Sequence, residues 1–319
     1  MHKSTGKPFG AKNNLMFIVS QEAEKVKKNS GFSHCFQLDK DIKDRTYRGM
    51  LRTTYKLRNG KILYREEYHQ GNYGAPGKKR QKKEKPTEEQ VKVVNRMVKQ
   101  RNCRLRLLKY FNEGDIFATW TYSPKERPPD MKAALKDFQD AMRYVRRQYR
   151  KRGRELFWIR NIERGTKGAW HIHLVVNEIG DTASILQKAW KKGGTWSNDI
   201  RHNDKTYDED FTKLSSYMTK TAGTGEKKAD GTVEKSRIKE SSYNTSRNMP
   251  LPEPKEKELV RWKMEVKPVK GYYIANIHEG TNPVTGYPYR RYTMVRLTDP
   301  PKKKKRRRKG CKKKRSTST

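Results

Sequence analysis

The stretch GAWHIHLVVNE, residues 168–178, sets two histidines two positions apart inside an apolar run. Side chains alternate faces along an extended chain, so His171 and His173 project from one side while Trp170, Ile172, Leu174 and Val176 project from the other. One face suits a core; the other presents two imidazole nitrogens. The preceding ELFWIRNIE reads as a partner strand, and Thr166-Lys167-Gly168 as a three-residue hairpin turn with glycine in the left-handed position. Closed without a register shift, that turn sets Glu163 opposite His171 and Asn161 opposite His173. The chain is thereby committed to an antiparallel strand pair with one buried face and one polar face.

The surrounding pattern extends this pair into a domain. IFATWTY reads as a strand, and Pro128-Pro129-Asp130 introduces a helix whose Leu135, Phe138, Met142 and Val145 recur at helical spacing until Gly153. TASILQKAWKKG is a second helix, TWSNDIRHN a strand and DEDFTKLSSYMTKTA a third helix. The order β-α-β-β-α-β-α predicts an α+β fold, an antiparallel sheet with helices on one face. It is the split βαβ arrangement of RNA-recognition-like domains, here with basic N- and C-terminal extensions.

Upstream, Thr87 and Gln90 form a capping-box pattern that opens a leading helix through Val91, Val94, Val98, Leu105 and Leu108. Before it, two β-favouring runs flank Asn59-Gly60, a dipeptide suited to a tight type I′ hairpin, and GNYGAPGKKRQKKEK reads as a linker. Downstream, GTGEKKADGTVEKSR is expected to be a loop and PEPKEKELVRWKMEV a helix. GYYIANI and YPYRRYTMVRL are expected to form a last hairpin. The expected division is 1–85 for the basic N-terminal region with hairpin and linker, and 86–225 for the main domain with its leading helix. Residues 226–300 form an accessory region with helix and hairpin, and 301–319 a disordered polybasic tail.

Charge narrows the partners. With 76 Lys and Arg against 35 Asp and Glu, the 319-residue chain carries a formal net charge of +41, the sign and size that bind polyanions. No apolar run approaches the roughly 20 residues of a spanning helix, and MHKSTGKPFG lacks the apolar segment of a signal peptide. The expectation is a soluble, cytoplasmic nucleic-acid-binding protein without a membrane partner, nuclear if the host is eukaryotic. Cys35, Cys103 and Cys311 are too scattered for a disulfide framework and read as free thiols.

The polar face of the histidine strand would carry two imidazoles and the Glu163 carboxylate, a three-ligand set with positions open for a substrate oxygen and suited to Mg²⁺ or Mn²⁺. In SSYMTK, Tyr217 and Lys220 are three apart and so neighbours on a helix, beside the Phe211, Leu214, Met218 stripe. An ammonium beside a phenol favours phenolate, and a phenolate can attack a phosphodiester. Taken one at a time each residue has an ordinary role: histidines in a core, Glu163 on the surface, Tyr217 in packing, Lys220 solvated. Thr119 and Thr121 alternate on one face of the first strand, either for β-propensity or because that face borders a DNA cleft. Lys213 and Arg160 are further candidate DNA contacts, Tyr207 and Tyr243 substitute nucleophiles, and His202 a neighbour of the site. Trp158, Trp170 and Trp190 lie in apolar stripes that favour core packing.

HIH followed downstream by YMTK, with FATWTY before them, resembles the histidine-hydrophobic-histidine (HUH) endonucleases, and specifically the rolling-circle replication initiators. The resemblance covers about residues 87–225. It implies a nickase of single-stranded origin DNA that stays joined to the 5′ phosphate and frees a 3′ hydroxyl for a polymerase. Carried over by position, His171 and His173 are metal ligands, Glu163 a third ligand, Tyr217 the nucleophile and Lys220 its helper. The tyrosine follows the histidines, as in replication initiators, and Lys213 stands where two-tyrosine members carry another tyrosine. One tyrosine leaves strand closure to a second protomer or a second cleavage. No Walker phosphate loop is present, so a host helicase would open the duplex and a host DNA polymerase extend the 3′ end. Two alternatives stay open: a related HUH transposase or mobilisation nickase, and a non-catalytic basic nucleic-acid-binding protein on an RNA-recognition-like sheet.

Overall fold

A computed structural model describes residues 50–69, 85–203, 206–221, 238–260, 262–263, 265–281 and 287–297. The linker before the leading helix, the 223–237 loop, the tip of the last hairpin and the polybasic tail fall essentially outside the described residues. The rest is α+β, with ten strands in two antiparallel five-stranded sheets and four α-helices. In chain order these are β1 (Met50–Leu57), β2 (Ile62–His69), α1 (Glu88–Tyr110), β3 (Ile116–Thr121), α2 (Met131–Lys151), β4 (Trp158–Gly165) and β5 (Trp170–Val176). There follow α3 (Thr182–Ala189), β6 (Thr195–Asp199), α4 (Thr212–Met218), β7 (Ile238–Thr245), β8 (Lys255–Leu259), β9 (Tyr272–Thr281) and β10 (Pro288–Arg296). Among the described residues, no helix is long and apolar enough to cross a membrane.

The histidine sheet runs β6-β3-β5-β4-β7. Its central hairpin has the register expected from the turn: Glu163 faces His171 and Asn161 faces His173, with Gly168 at φ 77°. The opposite face is dry. Ala118, Trp120, Ile162, Trp170, Ile172 and Leu174 pack there on Phe138, Met142 and Val145 of α2 and on Ile185 and Leu186 of α3. Full burial of such side chains contributes about 1.5–3 kcal/mol each. Asp130 caps α2 through the Ala133 N–H (2.8 Å), and the helix gives way at Gly153, φ 62°. Gly193 lets the chain entering β6 close against the end of β3, because a Cβ there would lie 2.2 Å from the Thr121 carbonyl oxygen.

The second sheet, β8-β1-β2-β10-β9, joins strands from both ends of the described chain. β1 and β2 form the expected hairpin, but Leu57 pairs with Ile62 around a four-residue turn, with Arg58, Asn59 and Gly60 all at positive φ, instead of a two-residue type I′ turn. The helix expected around PEPKEKELVRWKMEV is instead β8. Pro252 and Pro254 restrict the lead-in, the Lys/Glu alternation leaves no apolar stripe, and the open edge of β1 offers pairing partners from Thr54 to Met50. β7, which lies beyond the boundary expected at 225, is the edge strand of the histidine sheet.

Between the sheets lies a second core. Tyr55, Leu57, Ile62 and Tyr64 meet Phe117, Ile159 and Val175 through α1 (Leu105, Leu107, Leu108) and α4 (Leu214, Met218). Thr87 and Gln90 make the expected capping box of α1, yet Val91 and Val98 are exposed and the helix is buried only from Cys103 onward. Glu66 and Glu67 are buried carboxylates satisfied by arginines: Arg101 Nε donates to Glu66 (2.5 Å), and Arg52 and Arg290 flank Glu67 at 2.5 and 2.6 Å.

Arg104 of α1 crosses to the segment before α4, donating to the Asp210 carbonyl (2.9 Å) and carboxylate (2.8 Å). Asn276 of β9 and Thr293 of β10 donate to the same carboxylate, each at 3.2 Å. Burial pushes the Asp210 carboxyl up, but Arg104 and these hydrogen bonds outweigh it and hold the pKa below its ordinary value. A carboxyl depressed in the fold stabilises above its unfolded pKa and loses that contribution as pH falls through the folded one. Arg104→Leu is therefore expected to cost about 3–5 kcal/mol at pH 7, where an uncompensated buried carboxylate remains. In urea denaturation the deficit should narrow toward acid pH as Asp210 protonates; a pH-independent deficit would contradict the assignment.

Candidate functional site

β5 pairs with β3 as well as β4, and the two registers stack the polar face into rows. Glu163, His171 and Thr121 form one row; Asn161, His173 and Thr119 form the next. The imidazoles are parallel, with centroids 6.1 Å apart and planes 6° from coplanar. Thr119 Oγ1 lies 3.1 Å from His173 Nδ1, and Glu163 Oε2 lies 3.6 Å from His173 Nε2. Asn161, fully buried, donates from Nδ2 to Glu163 Oε1 at 2.7 Å and so orients the carboxylate. Burial lowers the His171 pKa, assisted by the neighbouring His173 and Arg127 and opposed by Glu163, which keeps the imidazole neutral and its lone pair available.

Tyr217 reaches this face from α4. Its hydroxyl is 3.2 Å from His173 Nε2 and 3.3 Å from Nδ1, and its ring meets His173 and Phe117 edge-on, at 5.0 and 5.8 Å between centroids. The helix enters through Phe211, a buried residue held at φ 56°, which a bulky side chain adopts only under constraint. The Arg58 guanidinium from the β1–β2 turn sits 4.7 Å over the Phe211 ring and supplies part of that constraint. Asp208 accepts from the Lys213 N–H (2.8 Å) in the first turn.

α4 ends at Met218, so Lys220 lies in the turn after the helix instead of on it, its N–H bonded to the Tyr217 carbonyl (3.3 Å). Lys220 Nζ still stands 4.9 Å from the Tyr217 ring centroid, as the expected pairing requires. The Lys220 carbonyl accepts from Asn161 Nδ2 (3.3 Å) and Ser241 Oγ (3.2 Å), which ties the tyrosine's turn to β4 and β7.

The donor set of two imidazoles and a carboxylate on one face suits a divalent ion in chemistry, and Asn161 holds the carboxylate in place. Among the described residues, no three of His, Cys, Asp and Glu are gathered at metal-ligand spacing.

Of the other expected contacts, Thr119 and Thr121 lie on the site face and Lys213 is exposed on α4. Arg160 is a correction. It points to the opposite face, 4% exposed, with its guanidinium 5.0 Å from the Phe138 ring centroid and Nη1 donating to the Ser242 carbonyl (2.7 Å). Burial lowers its pKa to about 10, and it is enclosed away from any strand in the cleft. Tyr207 and Tyr243 pack against the inter-sheet core, and burial raises both phenols, which disfavours the phenolate a nucleophile needs. His202 pairs with Asp199 (3.0 Å) and borders the site.

Beside Tyr217 is a cleft of about 410 Å³, bordered by Phe117, Thr119, Trp196, His202 and Thr206. A larger cleft of about 710 Å³ is lined by Lys56, Arg58, Lys61, Lys109 and Arg201, a basic surface to which the N-terminal hairpin contributes. Sequence reasoning missed Trp196. Its signal is its register opposite Thr119, which only the β3–β6 pairing reveals.

Residues 115–222 match a family model, that of the replication-associated proteins of the ORF2 type. The match runs from the start of β3 past α4, so it includes His171, His173, Tyr217 and Lys220, and it supports a role in replication initiation. No curated protein and no solved structure matches the chain.

Asn161→Ala is expected to release both Glu163 and the Lys220 carbonyl. Loss of a buried bridging amide costs about 1–3 kcal/mol, and hydrogen exchange should speed up across residues 217–221 relative to α2. Unchanged exchange there would show that the turn is held by other contacts.

Proposed function

We propose that the chain is a replication initiator that nicks single-stranded origin DNA through Tyr217, leaving a 5′-phosphotyrosine link and a free 3′ hydroxyl. The observation that carries this reading is the contact between the Tyr217 hydroxyl and His173, which joins a helix to a sheet face otherwise built for ligation. Lys220 over the phenol ring favours the phenolate and lies where phosphate charge would develop. Tyr217 Oη forms a bond to phosphorus, the bond from phosphorus to O3′ breaks, and the proton lost by the phenol is balanced by the one O3′ gains. A divalent ion, Mg²⁺ or Mn²⁺, held by His171, His173 and Glu163 would polarise the non-bridging phosphate oxygens. Thr119 orients His173, and Asn161 orients Glu163.

The basic cleft and the net charge of +41 supply sequence-independent attraction for the strand's phosphates. Lys213, one helical turn before Tyr217, leaves one nucleophile on this helix, so strand closure falls to a second protomer or a second cleavage. Duplex opening and 3′ extension would fall to a host helicase and DNA polymerase.

Incubated with labelled single-stranded oligonucleotides containing the native origin and Mn²⁺ or Mg²⁺, the wild type should give an adduct that survives denaturing electrophoresis. Tyr217→Phe and chelation should each abolish it. Lys220→Ala should slow adduct formation about tenfold, the equivalent of one unit of phenol pKa, with a deficit that shrinks as pH rises. Tight binding with no adduct in the wild type would favour a non-catalytic binding protein.

A further inference from the structure

Trp196 is the tryptophan that packing does not account for. Trp120, Trp170, Trp190 and Trp262 are buried and Trp158 packs against the core of the histidine sheet, whereas Trp196 is 50% exposed. Its pairing with Thr119 puts it on the face that carries His173, and Phe117 meets its ring edge-on at 6.0 Å, bracing the indole without covering it. The cleft it borders has Tyr217 as another wall and, at about 410 Å³, is within the size of small-ligand sites. Thr206, also in its lining, is 4% exposed, and its buried Oγ1 has no hydrogen-bond partner. A buried hydroxyl is normally paired, so an unpaired one in a cleft wall points to a polar edge that arrives with a ligand.

We propose that this cleft holds one unstacked nucleobase of single-stranded DNA, stacked on Trp196 with a polar edge toward the Thr206 hydroxyl. An exposed, braced indole is a stacking surface for any base. A threonine hydroxyl donates or accepts, so it pairs with base edges of either kind. Within the 3-10 turn Ile200–His202, His202 borders this cleft and Arg201 lines the basic one, where the phosphates of the same strand are met. Because Tyr217 forms one wall, the captured base belongs to a nucleotide beside the attacked phosphate. Holding it would fix which phosphodiester lies over the histidines. The adjacency to a scissile bond rests on the nickase reading; the base pocket itself does not.

The test separates the two. Binding is measured by anisotropy in chelator, on the non-cleaving Tyr217→Phe chain, with an eight-nucleotide oligothymidylate and an abasic strand carrying the same number of phosphates. The parent should prefer the base-bearing strand. Trp196→Ala should weaken that strand about tenfold and leave the abasic one unchanged, Trp196→Phe should recover most of the loss, and Thr206→Val should give a smaller loss on the base-bearing strand alone. Equal affinities for Trp196→Ala and its parent, or equal losses on both strands, would overturn the pocket. Adduct formation by the wild type is scored separately. A base-dependent effect of Trp196 without any adduct keeps the pocket and removes the nickase; an adduct without that effect does the reverse.

Discussion

The pairing of β5 between β3 and β4 is the constraint on which the rest of the molecule depends. Because strand side chains alternate, one register decides both faces at once: Trp170, Ile172 and Leu174 go to α2 and α3, and His171 and His173 go to the polar face. A slip of one residue would put the imidazoles in the dry core and the tryptophan in the cleft. The hydrophobic burial that stabilises the sheet thus also holds the histidines beside Glu163, Asn161 and Thr119.

The tyrosine is placed by a different part of the chain. α4 has seven residues, too few to be stable alone, and enters through a left-handed Phe211. It is held by Arg104 from α1, Asn276 and Thr293 from the second sheet, and Arg58 from the β1–β2 turn. All four lie outside residues 115–222, the stretch that matches the family model. The flanking sheet is therefore a mount for α4 as well as a source of basic surface.

Local signals in the sequence carried far. The capping box at Thr87, the Asp130 cap, the glycine stop at Gly153 and the Thr166–Gly168 turn each act within a few residues, and each is found where the residues indicate. The Glu163–His171 pairing followed from turn length alone. What stayed hidden was set by long-range partners. β8 is a strand because β1 had an edge to fill, and β1 and β2 find β10 across the whole chain. Arg160 and Trp196 show the same limit at the site: whether a strand residue faces cleft or core depends on neighbours that adjacent residues do not specify. Counting strand parity from His171 through the known turn would have sent Arg160 to the core side.

The central claim is that Tyr217, and no other tyrosine, becomes linked to DNA over the histidine face. Peptide mass mapping of the nuclease-trimmed adduct formed with single-stranded origin DNA measures this directly. The account predicts a residual nucleotide on the peptide that contains Tyr217. A nucleotide on the peptide containing Tyr207 or Tyr243, or none on any peptide, would contradict it.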